Sequence, residues 1–596
     1  MSFKAPLKDM LFNLQHISQI EELSQMEGFE DYGLETAQMV LEECARFNET
    51  VIAPLNASAD KAPAVFEAQA VKTSDGFKEA YLQYTQGGWQ GLQHPLEFGG
   101  QNLPKSVGAL CAEMLNSANM SFALCPLLTD GAIEALLTAG STEQKQTYLH
   151  RLVSGEWSGT MNLTEPQAGS DLSLIRTRAE PSEDGQYKIF GTKVFITFGE
   201  HDMAQNIVHM VLARVSGAPE GVKGISLFVV PKFMPLANGE LGERNDVYCV
   251  SLEHKLGIKA SPTAVMQFGD HGGAKAFLVG EENRGLEYMF IMMNAARFGV
   301  GIQGVALAER AYQKAVSYAL DRVQSRPVDG SKKSAVAIAH HPDVKRMLMT
   351  MRAYTQGSRS LAAFAAGAFD RAHHHPDPLV RTAQLELYEF LVPLVKGFST
   401  EMSQWVSSMG VQVHGGMGFI EETGAAQFYR DAKILTIYEG TTAIQANDLL
   451  GRKTLRDGGA FAARLSSMIE QTLLDLAPET DEDLQVMKVQ LGKSKAHFDQ
   501  SIAFILSHGQ AEPNAVYAGS VPYLMLTSTV VVAWLFARSM MVSKAQIERH
   551  QDEPFYRAKI KTARFFAEHL LTQTHALVHS IVSGAQSVNA LSLEDF

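Results

Sequence analysis

The chain has 596 residues, which is enough for about three or four domains. Hydrophobic residues make up 46% of it and charged residues 19%, as in an ordinary large globular protein, and the formal net charge of −14 argues against non-specific nucleic-acid binding, which needs a basic surface. The cysteines have neither metal-ligand nor disulfide-framework spacing, so we expect buried thiols in a reducing compartment and no metal site; they are Cys44, Cys111, Cys125 and Cys249.

Residues 1–157 are expected to form an N-terminal helical domain, with residues 1–35 as an extension ahead of it. Apolar residues recur at helical spacing in Leu34–Phe47 and in Val107–Leu115. In Gly140–Trp157, a serine followed by glutamate and glutamine predicts a capped helix start, and a glycine near the end predicts where the helix stops.

We expect no secretory signal, because Lys4, Lys8 and Asp9 interrupt the apolar residues near the beginning of the chain. An uncharged run over residues 513–537 is long enough to be considered as a membrane span. Its first half contains prolines, a glycine and polar residues, so we expect a helix buried in a bundle and no integral span. The expected location is the cytoplasm, either free or peripheral to the inner membrane.

Residues 158–285 are expected to form a middle β domain, either a small antiparallel barrel or a sandwich. Short runs of β-branched and aromatic residues, separated by turn residues, replace the helical pattern in this part of the chain. The predicted strands are Tyr187–Thr197, Asn206–Val215, Gly224–Val230, Ala264–Phe268 and Ala274–Val279.

The helical pattern returns in residues 286–452, where long helices with short connections indicate a bundle. The predicted helices are Leu286–Leu320, Val344–Phe369 and Thr382–Met409. The adjacent histidines of His373–His375 would point in different directions on any backbone, so we interpret them as a surface loop.

Residues 453–596 are expected to be an appended helical domain that covers the core or makes an oligomer contact. This part has no motif of its own. Its predicted helices are Arg464–Leu476, Leu484–Leu506, Pro522–Ser543 and Ala558–Val582.

Glu439 has two interpretations. As an isolated carboxylate ahead of a helix capped by Thr441 or Thr442, it would be a solvated surface group. As a general base, it would lose water to the apolar residues beside it, which raises the pKa of a carboxyl group toward neutral pH. In that case Gly440 would let a substrate approach the backbone closely. Motifs elsewhere in the chain decide between the two.

The segment Met161–Asp171 reads MNLTEPQAGSD. In physical terms it is a polar loop, in which Pro166 stops regular structure and Gly169 permits a positive φ, and it can offer N–H groups and hydroxyls to a polar ring system. As a pattern it resembles the flavin loop of the acyl-CoA dehydrogenases. Arg430–Gln445 resembles the catalytic segment of the same family, in the same order and at a similar distance, and the resemblance extends over residues 80–452.

Four further segments match the family. Lys193–Thr197 resembles its K-x-W-I-T strand, with Phe195 in place of tryptophan, and Lys255–Ser261 resembles its K-x-G-x-x-x-S loop. Asp321–Gln324 resembles its E-R-x-Q segment and Gln412–Phe419 its Q-x-x-G-G-x-G-F loop, both of which act on the FAD of a neighbouring subunit. The resemblance therefore implies FAD as cofactor, bound by Met161, Leu163, Thr164, Gly169, Ser170, Phe195, Ile196, Thr197, Arg322, Gln412, Gly415, Gly416 and Thr441.

The resemblance implies a fold that is mainly α with a central β domain. Its parts are an N-terminal helical domain, a middle antiparallel β-barrel and a C-terminal four-helix bundle, here followed by the appended helical domain. It also implies that Glu439 removes the α-proton of an acyl-CoA thioester while the β-hydrogen leaves as hydride to flavin N5, which gives a trans-2-enoyl-CoA. In the family, the backbone N–H of this glutamate and a ribityl hydroxyl of FAD stabilise the thioester oxygen.

Some members of the family place the base on a helix, just before an arginine that matches Arg297. Ala296 occupies that position here and cannot act as a base, which leaves Glu439. The residues that resemble substrate-binding positions are Ser170, Asn294, Arg297 and Gly440, although many members have aspartate where Asn294 stands.

The chain departs from the family in two contacts. His341–Pro342 replaces a His-Gln pair whose glutamine touches the neighbour's adenine, and Ala443 replaces a polar flavin contact. The N-terminal extension and residues 453–596 match a larger subgroup, which includes bacterial 3-methylmercaptopropionyl-CoA dehydrogenases and related medium- to long-chain enzymes. In that subgroup the appended domain is expected to replace part of the tetramer contacts, which favours a homodimer over a tetramer.

Three functions are compatible with these motifs. The first is an acyl-CoA dehydrogenase that passes electrons to electron-transfer flavoprotein, and the second is an acyl-CoA oxidase that uses oxygen; pocket shape, which sequence does not give, separates them. The third is a non-catalytic assembly protein of the same fold, and the joint presence of Glu439, Thr164, Ser170, Arg322 and Gly416 argues against it. The acyl chain length is left open.

Overall fold

The computed structural model of the chain describes residues 3–183, 185–236 and 238–596, with helices at both ends of the chain and strands in its middle. The predicted order of helical, β and helical segments is confirmed. The N-terminal helices are α1 Leu7–Asn13, α2 Ile20–Leu23, α3 Leu34–Phe47, α4 Leu55–Lys61, α5 Phe77–Gln86, α6 Lys105–Ala139 and α7 Thr142–Val153.

The N-terminal part contains one feature that the helical pattern did not predict, a short antiparallel hairpin of β1 Val65–Glu67 and β2 Ala70–Lys72. The predicted cap of α7 is confirmed, because the Ser141 hydroxyl accepts the backbone N–H of Gln144 and the Gln144 side chain returns to the backbone N–H of Ser141. α6 is two helices joined at Asn119, whose extended backbone makes a kink.

The middle strands include every one predicted from the pattern, with ends that agree to within a few residues. They are β3 Trp157–Asn162, β4 Arg178–Pro181, β5 Tyr187–Thr197, β6 Asn206–Val215, β7 Ser226–Pro231, β8 Phe233–Pro235, β9 Leu241–Arg244, β10 Val247–Leu252, β11 Thr263–Phe268 and β12 Ala274–Val279. β3 was missed because it lies at the expected domain boundary, and β4, β8 and β9 were missed because none of them carries a long apolar run. β10 was missed although most of its residues are apolar.

The main sheet has the order β10-β11-β5-β12-β7-β6-β3. β4 pairs with both β5 and β6, so strands β5, β12, β7, β6 and β4 close into a ring around an apolar interior. Most pairs are antiparallel, as expected, but β3 and β4 each pair with β6 in parallel. β4 also forms an antiparallel hairpin with β5, which follows it in the chain, so its parallel pair with β6 skips one strand in sequence.

The bundle that follows consists of α8 Gly285–Asp321, α9 Pro342–His374, α10 Pro378–Val413, α11 Ala425–Ala432 and α12 Thr442–Asn447. The expected loop at His373–His375 is wrong in part, because α9 continues to His374. The His373 ring donates to the Phe369 carbonyl at 2.8 Å and the His374 ring donates to the Glu27 carbonyl at 3.0 Å, so both rings are hydrogen-bonded to the backbone. Among the described residues no group of histidine, cysteine, aspartate or glutamate is arranged to hold a metal ion.

The appended helices are α13 Ala460–Asp475, α14 Glu482–His508, α15 Pro513–Ala518, α16 Ser520–Glu548, α17 Glu553–Phe565, α18 Thr574–Ser583 and α19 Ala585–Val588. By length and composition α6, α8 and α16 could each cross a membrane, but 78%, 67% and 83% of their apolar windows are buried inside the structure. α16 packs against α9, α10, α14 and α17, so its apolar residues belong to the largest core. The expectation that the chain has no integral span stays a prediction.

A buried cluster of charges joins the N-terminal extension, the bundle and the appended helices; we call it the Arg359 cluster. The Arg359 guanidinium lies 2.6 Å from Asp9, 2.5 Å from Glu113 and 2.7 Å from Glu309, and Lys559 lies 2.8 Å from Asp9. These residues belong to α9, α1, α6, α8 and α17, and all are almost fully buried. Since buried charges need partners, the cluster holds five separate segments in register.

Candidate active site

Glu439 lies in the short loop between α11 and α12. Its backbone is left-handed, with φ of 54°, and Gly440 follows with φ of 88°. Thr441 then caps α12, because its hydroxyl accepts the backbone N–H of Ile444 at 3.3 Å. A left-handed glutamate is strained, so this loop places the carboxylate at the cost of an unfavourable backbone conformation.

The environment of Glu439 favours a proton acceptor over a surface acid. Its side chain is only partly exposed, and burial raises the pKa of its carboxyl group, while the positive charges of Arg297 and Lys396 offset part of that rise. The backbone N–H of Glu439 has no hydrogen-bond acceptor in the described chain. A desolvated carboxylate therefore lies beside a free N–H donor.

Lys396 anchors the same loop from α10, and sequence reasoning missed it. Its ammonium donates to the carbonyl oxygens of Leu435 at 2.9 Å and Gly440 at 2.6 Å, one on each side of Glu439. Lys396 is fully buried, and burial lowers its pKa to about 8. A single charge inside the apolar run Phe390–Phe398 was the available signal, because a buried ammonium needs polar partners.

Arg297 reaches the site from α8. It is almost fully buried, its Nε has no hydrogen-bond partner in the described chain, and burial lowers its pKa. Asn294, one turn earlier, is exposed and its side chain lies 3.4 Å from the Arg297 guanidinium. Arg297 therefore interacts electrostatically with Glu439 and with the acid Asp448, and Asn294 lies beside Arg297.

The predicted flavin loop is held by a buried ion pair. The Lys193 ammonium lies 2.8 Å from Glu165 and also donates to the carbonyl of Leu163 at 3.0 Å. Glu165 further accepts the Thr177 hydroxyl at 2.6 Å and the Arg176 backbone N–H at 2.7 Å. With so many donors the carboxylate stays ionised, and the pKa of Glu165 falls to about 2. The pair fixes the shape of the loop from below.

Several groups on this loop and at the end of β5 are uncommitted, and we call them the uncommitted loop face. The hydroxyls of Thr164, Ser170 and Thr197 make no hydrogen bond within the described chain. Phe195 has φ of 62° and is 62% exposed, which is unusual for an aromatic residue in a strand. A Cβ added to Gly169 would meet nothing within 4 Å. Free hydroxyls, an exposed flat ring and open backbone fit the polar ring system of a flavin.

The other predicted residues of this loop supply its support. Met161 and Ile196 are buried, and Leu163 is half-buried. Met161 and Met292 of α8 both approach the position that a Cβ on Gly131 would occupy, to within 3.8 and 3.4 Å. Met292 lies between one and two turns before Arg297. The end of β3 therefore packs beside the part of α8 that carries Arg297.

A second group of predicted cofactor residues lies elsewhere. Arg322, Gln412, Gly415 and Gly416 are all exposed, and Arg322 caps the far end of α8. Roughly seven helical turns, or about 37 Å, separate Arg322 from Arg297 along that helix. Arg322 therefore lies far along α8 from the part of the helix that approaches Glu439. That these four residues serve a neighbouring subunit stays a prediction.

Two departures from the family have structural roles. His341 precedes α9 as its N-cap and lies 2.8 Å from the Gln324 carbonyl, and Pro342 occupies the first turn, where its missing N–H costs nothing. Ala443 is in the first turn of α12. The structure thus gives Pro342 a reason to be present that does not involve an adenine.

The segment just before Glu439 contacts the β domain through Asp431 and Gly257. The Ile258 backbone N–H donates to Asp431 at 2.5 Å, and a Cβ on Gly257 would lie only 2.4 Å from the Arg430 carbonyl. Arg430 itself pairs with Asp60 of the N-terminal part. Burial raises the pKa of Asp431 to about 7, so this contact titrates near neutral pH.

Asp431→Asn is therefore expected to change how stability depends on pH. The folded state keeps the Asp431 proton up to about pH 7, whereas the unfolded chain releases it near pH 3.8, so wild-type stability falls as pH rises between these values. Asparagine is not subject to this loss, and we expect the variant to gain about 1–4 kcal/mol over the wild type at pH 8 and little at pH 4. Urea unfolding at both pH values measures it, with exposed Glu422→Gln as control; a difference that does not grow with pH would contradict the assignment.

A narrow cleft with a cavity volume of about 70 Å³ lies between α3, α6 and α8 in the N-terminal part. Its walls include Phe47, Tyr84, Trp89, Leu115, Asn116 and Leu127. Asn116 accepts a hydrogen bond from Gln303 at 3.2 Å, and Gln303 in turn accepts the hydroxyl of Tyr438, the residue before Glu439. The side chains of Asn116, Gln303 and Tyr438 thus form a hydrogen-bonded path from the wall of the cleft to the loop that carries Glu439.

Four family models match successive parts of the chain. They describe the N-terminal domain of acyl-CoA dehydrogenase (residues 34–156), its middle domain (160–271), its C-terminal domain (283–453) and an acetyl-CoA dehydrogenase C-terminal-like domain (461–592). The last of these coincides with the appended helices α13 to α19.

Among curated proteins, the chain is 53% identical to a Ruegeria pomeroyi protein named 3-methylmercaptopropionyl-CoA dehydrogenase, with 100% of both chains covered. It is 34% identical to a broad-specificity linear acyl-CoA dehydrogenase of Mycobacterium tuberculosis, over 97% of this chain and 98% of the other. An acyl-CoA dehydrogenase of Bacillus anthracis complexed with FAD shares the fold, with TM-score 0.74, 23% identity and coverage of 95% and 92%. The chain belongs to the acyl-CoA dehydrogenase family of FAD-dependent enzymes.

Proposed function

We propose that this chain dehydrogenates an acyl-CoA between its α and β carbons, with Glu439 as the base that removes the α-proton. The observation that carries the proposal is the placement of Glu439: a carboxylate of raised pKa, next to a free N–H, on a strained loop between Arg297 and Lys396. The alternative base position holds Ala296, which is buried in α8 and has no acidic group.

The side chains divide the work of proton transfer. Burial raises the pKa of Glu439 and so makes its carboxylate a stronger base, while the charges of Arg297 and Lys396 favour its ionised form. The free N–H of Glu439 is suited to donate to the thioester oxygen, where negative charge develops when the proton leaves. FAD, when bound, supplies the acceptor for the hydride that leaves the β carbon.

The residues that would hold FAD are those of the uncommitted loop face. Thr164, Ser170 and Thr197 would donate or accept hydrogen bonds at the flavin ring, and the exposed Phe195 ring would pack against it. Lys193 and Glu165 would not touch the flavin, and their buried ion pair would stabilise the conformation of the loop.

We propose 3-methylmercaptopropionyl-CoA as the substrate, on the strength of the relative from Ruegeria pomeroyi that matches the whole chain. A linear acyl-CoA is the second candidate. The relative from Mycobacterium tuberculosis is named for linear substrates.

Anaerobic mixing with a panel of acyl-CoAs tests both the reaction and the substrate. The panel contains linear saturated chains from butyryl to stearoyl and 3-methylmercaptopropionyl-CoA, and the loss of flavin absorbance and the mass of the enoyl product are followed. Rapid bleaching with only the methylmercapto compound supports the first candidate, and bleaching that peaks at a longer linear chain supports the second. A protein that recovers no flavin when FAD is added would contradict the proposal and point to an assembly role.

We propose electron-transfer flavoprotein as the electron acceptor. The support is family membership, and an oxidase of the same fold is the alternative. Turnover with ferrocenium in place of oxygen, without peroxide release in air, is the expected result. Stoichiometric hydrogen peroxide from each enoyl-CoA formed would make the protein an oxidase.

We propose that the chain forms a homodimer. The surface that carries Gly415 and Gly416 also exposes Met417, Phe419 and Ile420, and the Phe419 side chain is 85% exposed. Exposed apolar side chains next to predicted cofactor residues suit an interface with a second copy. Sedimentation equilibrium is expected to give twice the chain mass, and a monomer would contradict it.

A further inference from the structure

Lys396 is a buried charge that has no acidic side chain in hydrogen-bond contact among the described residues. Its ammonium makes two hydrogen bonds, and both go to backbone carbonyls, those of Leu435 and Gly440. A methionine of similar length would be far less costly to bury, since an ammonium loses its hydration. The two carbonyls lie on either side of Glu439 in the chain, so the Lys396 side chain links the two ends of the loop that carries Glu439.

The charge of Lys396 also acts on Glu439 directly. The groups that face the pair come from three elements: Arg297 from α8, Glu401 from α10 itself, and Tyr438 from the loop. Arg297 also faces Asp448 and Arg452, and Lys396 also faces Glu401, whose carboxylate accepts the Thr442 hydroxyl at 2.5 Å. Each of the two cations therefore faces one acid besides Glu439.

We propose that Lys396 is a positioning residue for the dehydrogenation reaction: it holds the loop from Leu435 to Gly440 in its strained conformation, and its positive charge keeps Glu439 ionised. The proposal rests on Glu439 being the base. This role of Lys396 explains the left-handed backbone of Glu439, because such a conformation persists only when its surroundings support it. The proposal also assigns the pH range in which the enzyme works to a residue that does not touch the substrate.

Two substitutions separate the two roles. Lys396→Met removes the charge and both hydrogen bonds, whereas Lys396→Gln removes the charge and keeps an N–H donor near the carbonyls. For both variants, we expect the acidic limb of the kcat/KM profile to move up by about one pH unit, because a nearby positive charge lowers a carboxyl pKa by about that much. Amide hydrogen exchange in residues 435–440 is expected to be at least about tenfold faster in Lys396→Met and close to wild type in Lys396→Gln.

Lys559→Met is the matched control. Lys559 is buried to the same degree as Lys396. Unlike Lys396, it forms an ion pair, with Asp9 of the Arg359 cluster. This variant is expected to lower the thermal midpoint without moving the acidic limb or the exchange of residues 435–440. If Lys396→Met leaves both the acidic limb and the loop exchange as in the wild type, the proposal is overturned. The exchange result does not depend on turnover, so it remains decisive even if Glu439→Gln shows that another residue is the base.

Discussion

Replacing Glu439 by glutamine is expected to lower the rate of acyl-CoA dehydrogenation by about 10³–10⁴-fold, because a positioned base contributes up to that factor to proton transfer. The amide has nearly the same shape and keeps the left-handed backbone, but it cannot accept a proton at neutral pH. Bound FAD and its absorbance spectrum should be unchanged, since the hydroxyls and the ring that fit the flavin belong to the β domain. The rate of anaerobic bleaching by the best acyl-CoA of the panel measures the effect.

The control for this result is Glu422→Gln, a loss of one carboxylate on an exposed residue shortly before α11. It should bleach at the wild-type rate. A Glu439→Gln protein that also bleaches at that rate would mean that a different group takes the α-proton, and the chemistry of the loop would have to be assigned again.

Replacing Arg359 by methionine is expected to lower the free energy of unfolding by about 3–5 kcal/mol, which is the usual cost of removing one partner from a buried ion pair. Asp9, Glu113 and Glu309 would lose the cation that they share. Among the described residues, only Asp9 would keep a second cation as an ion-pair partner, Lys559. Calorimetry and urea unfolding measure the change, with activity followed in parallel to show whether the active site opens before the whole chain.

Arg346→Met on the same helix is the matched control. Arg346 pairs with Asp343 at 2.8 Å in the first turns of α9, and both side chains are exposed. An exposed pair of this kind contributes at most about 1 kcal/mol. Equal losses for the two variants would show that the Arg359 cluster is no more than a set of surface-like pairs, and the idea that it locks five segments together would fail.

Local patterns in the sequence predicted most of the fold. The strand Tyr187–Thr197 was found with both ends correct, because β-branched and aromatic residues alternate there between turn residues. The long helices of the bundle were found because their apolar residues recur at helical spacing. The parallel pairing of β3 with β6 was not found, because strand neighbours that are far apart in sequence leave no mark on either strand alone.

The candidate site was predictable in part for the same reason. Glu439, Thr164 and Arg297 stand in runs of residues that carry a pattern, and in the structure Arg297 interacts electrostatically with Glu439. Lys396 and Asp431 act through contacts with residues far along the chain, such as the Ile258 backbone N–H. Their role depends on which helix faces which loop, and only packing determines that.

The Arg359 cluster also says something about how the chain is made. Its three acids, at positions 9, 113 and 309, leave the ribosome before either base, and Asp9 and Lys559 are 550 residues apart. At roughly 5–20 residues per second, about 30–110 s pass between the synthesis of Asp9 and that of Lys559. For most of that time the growing chain carries carboxylates whose partners do not yet exist, so the finished interior can assemble only when translation nears its end.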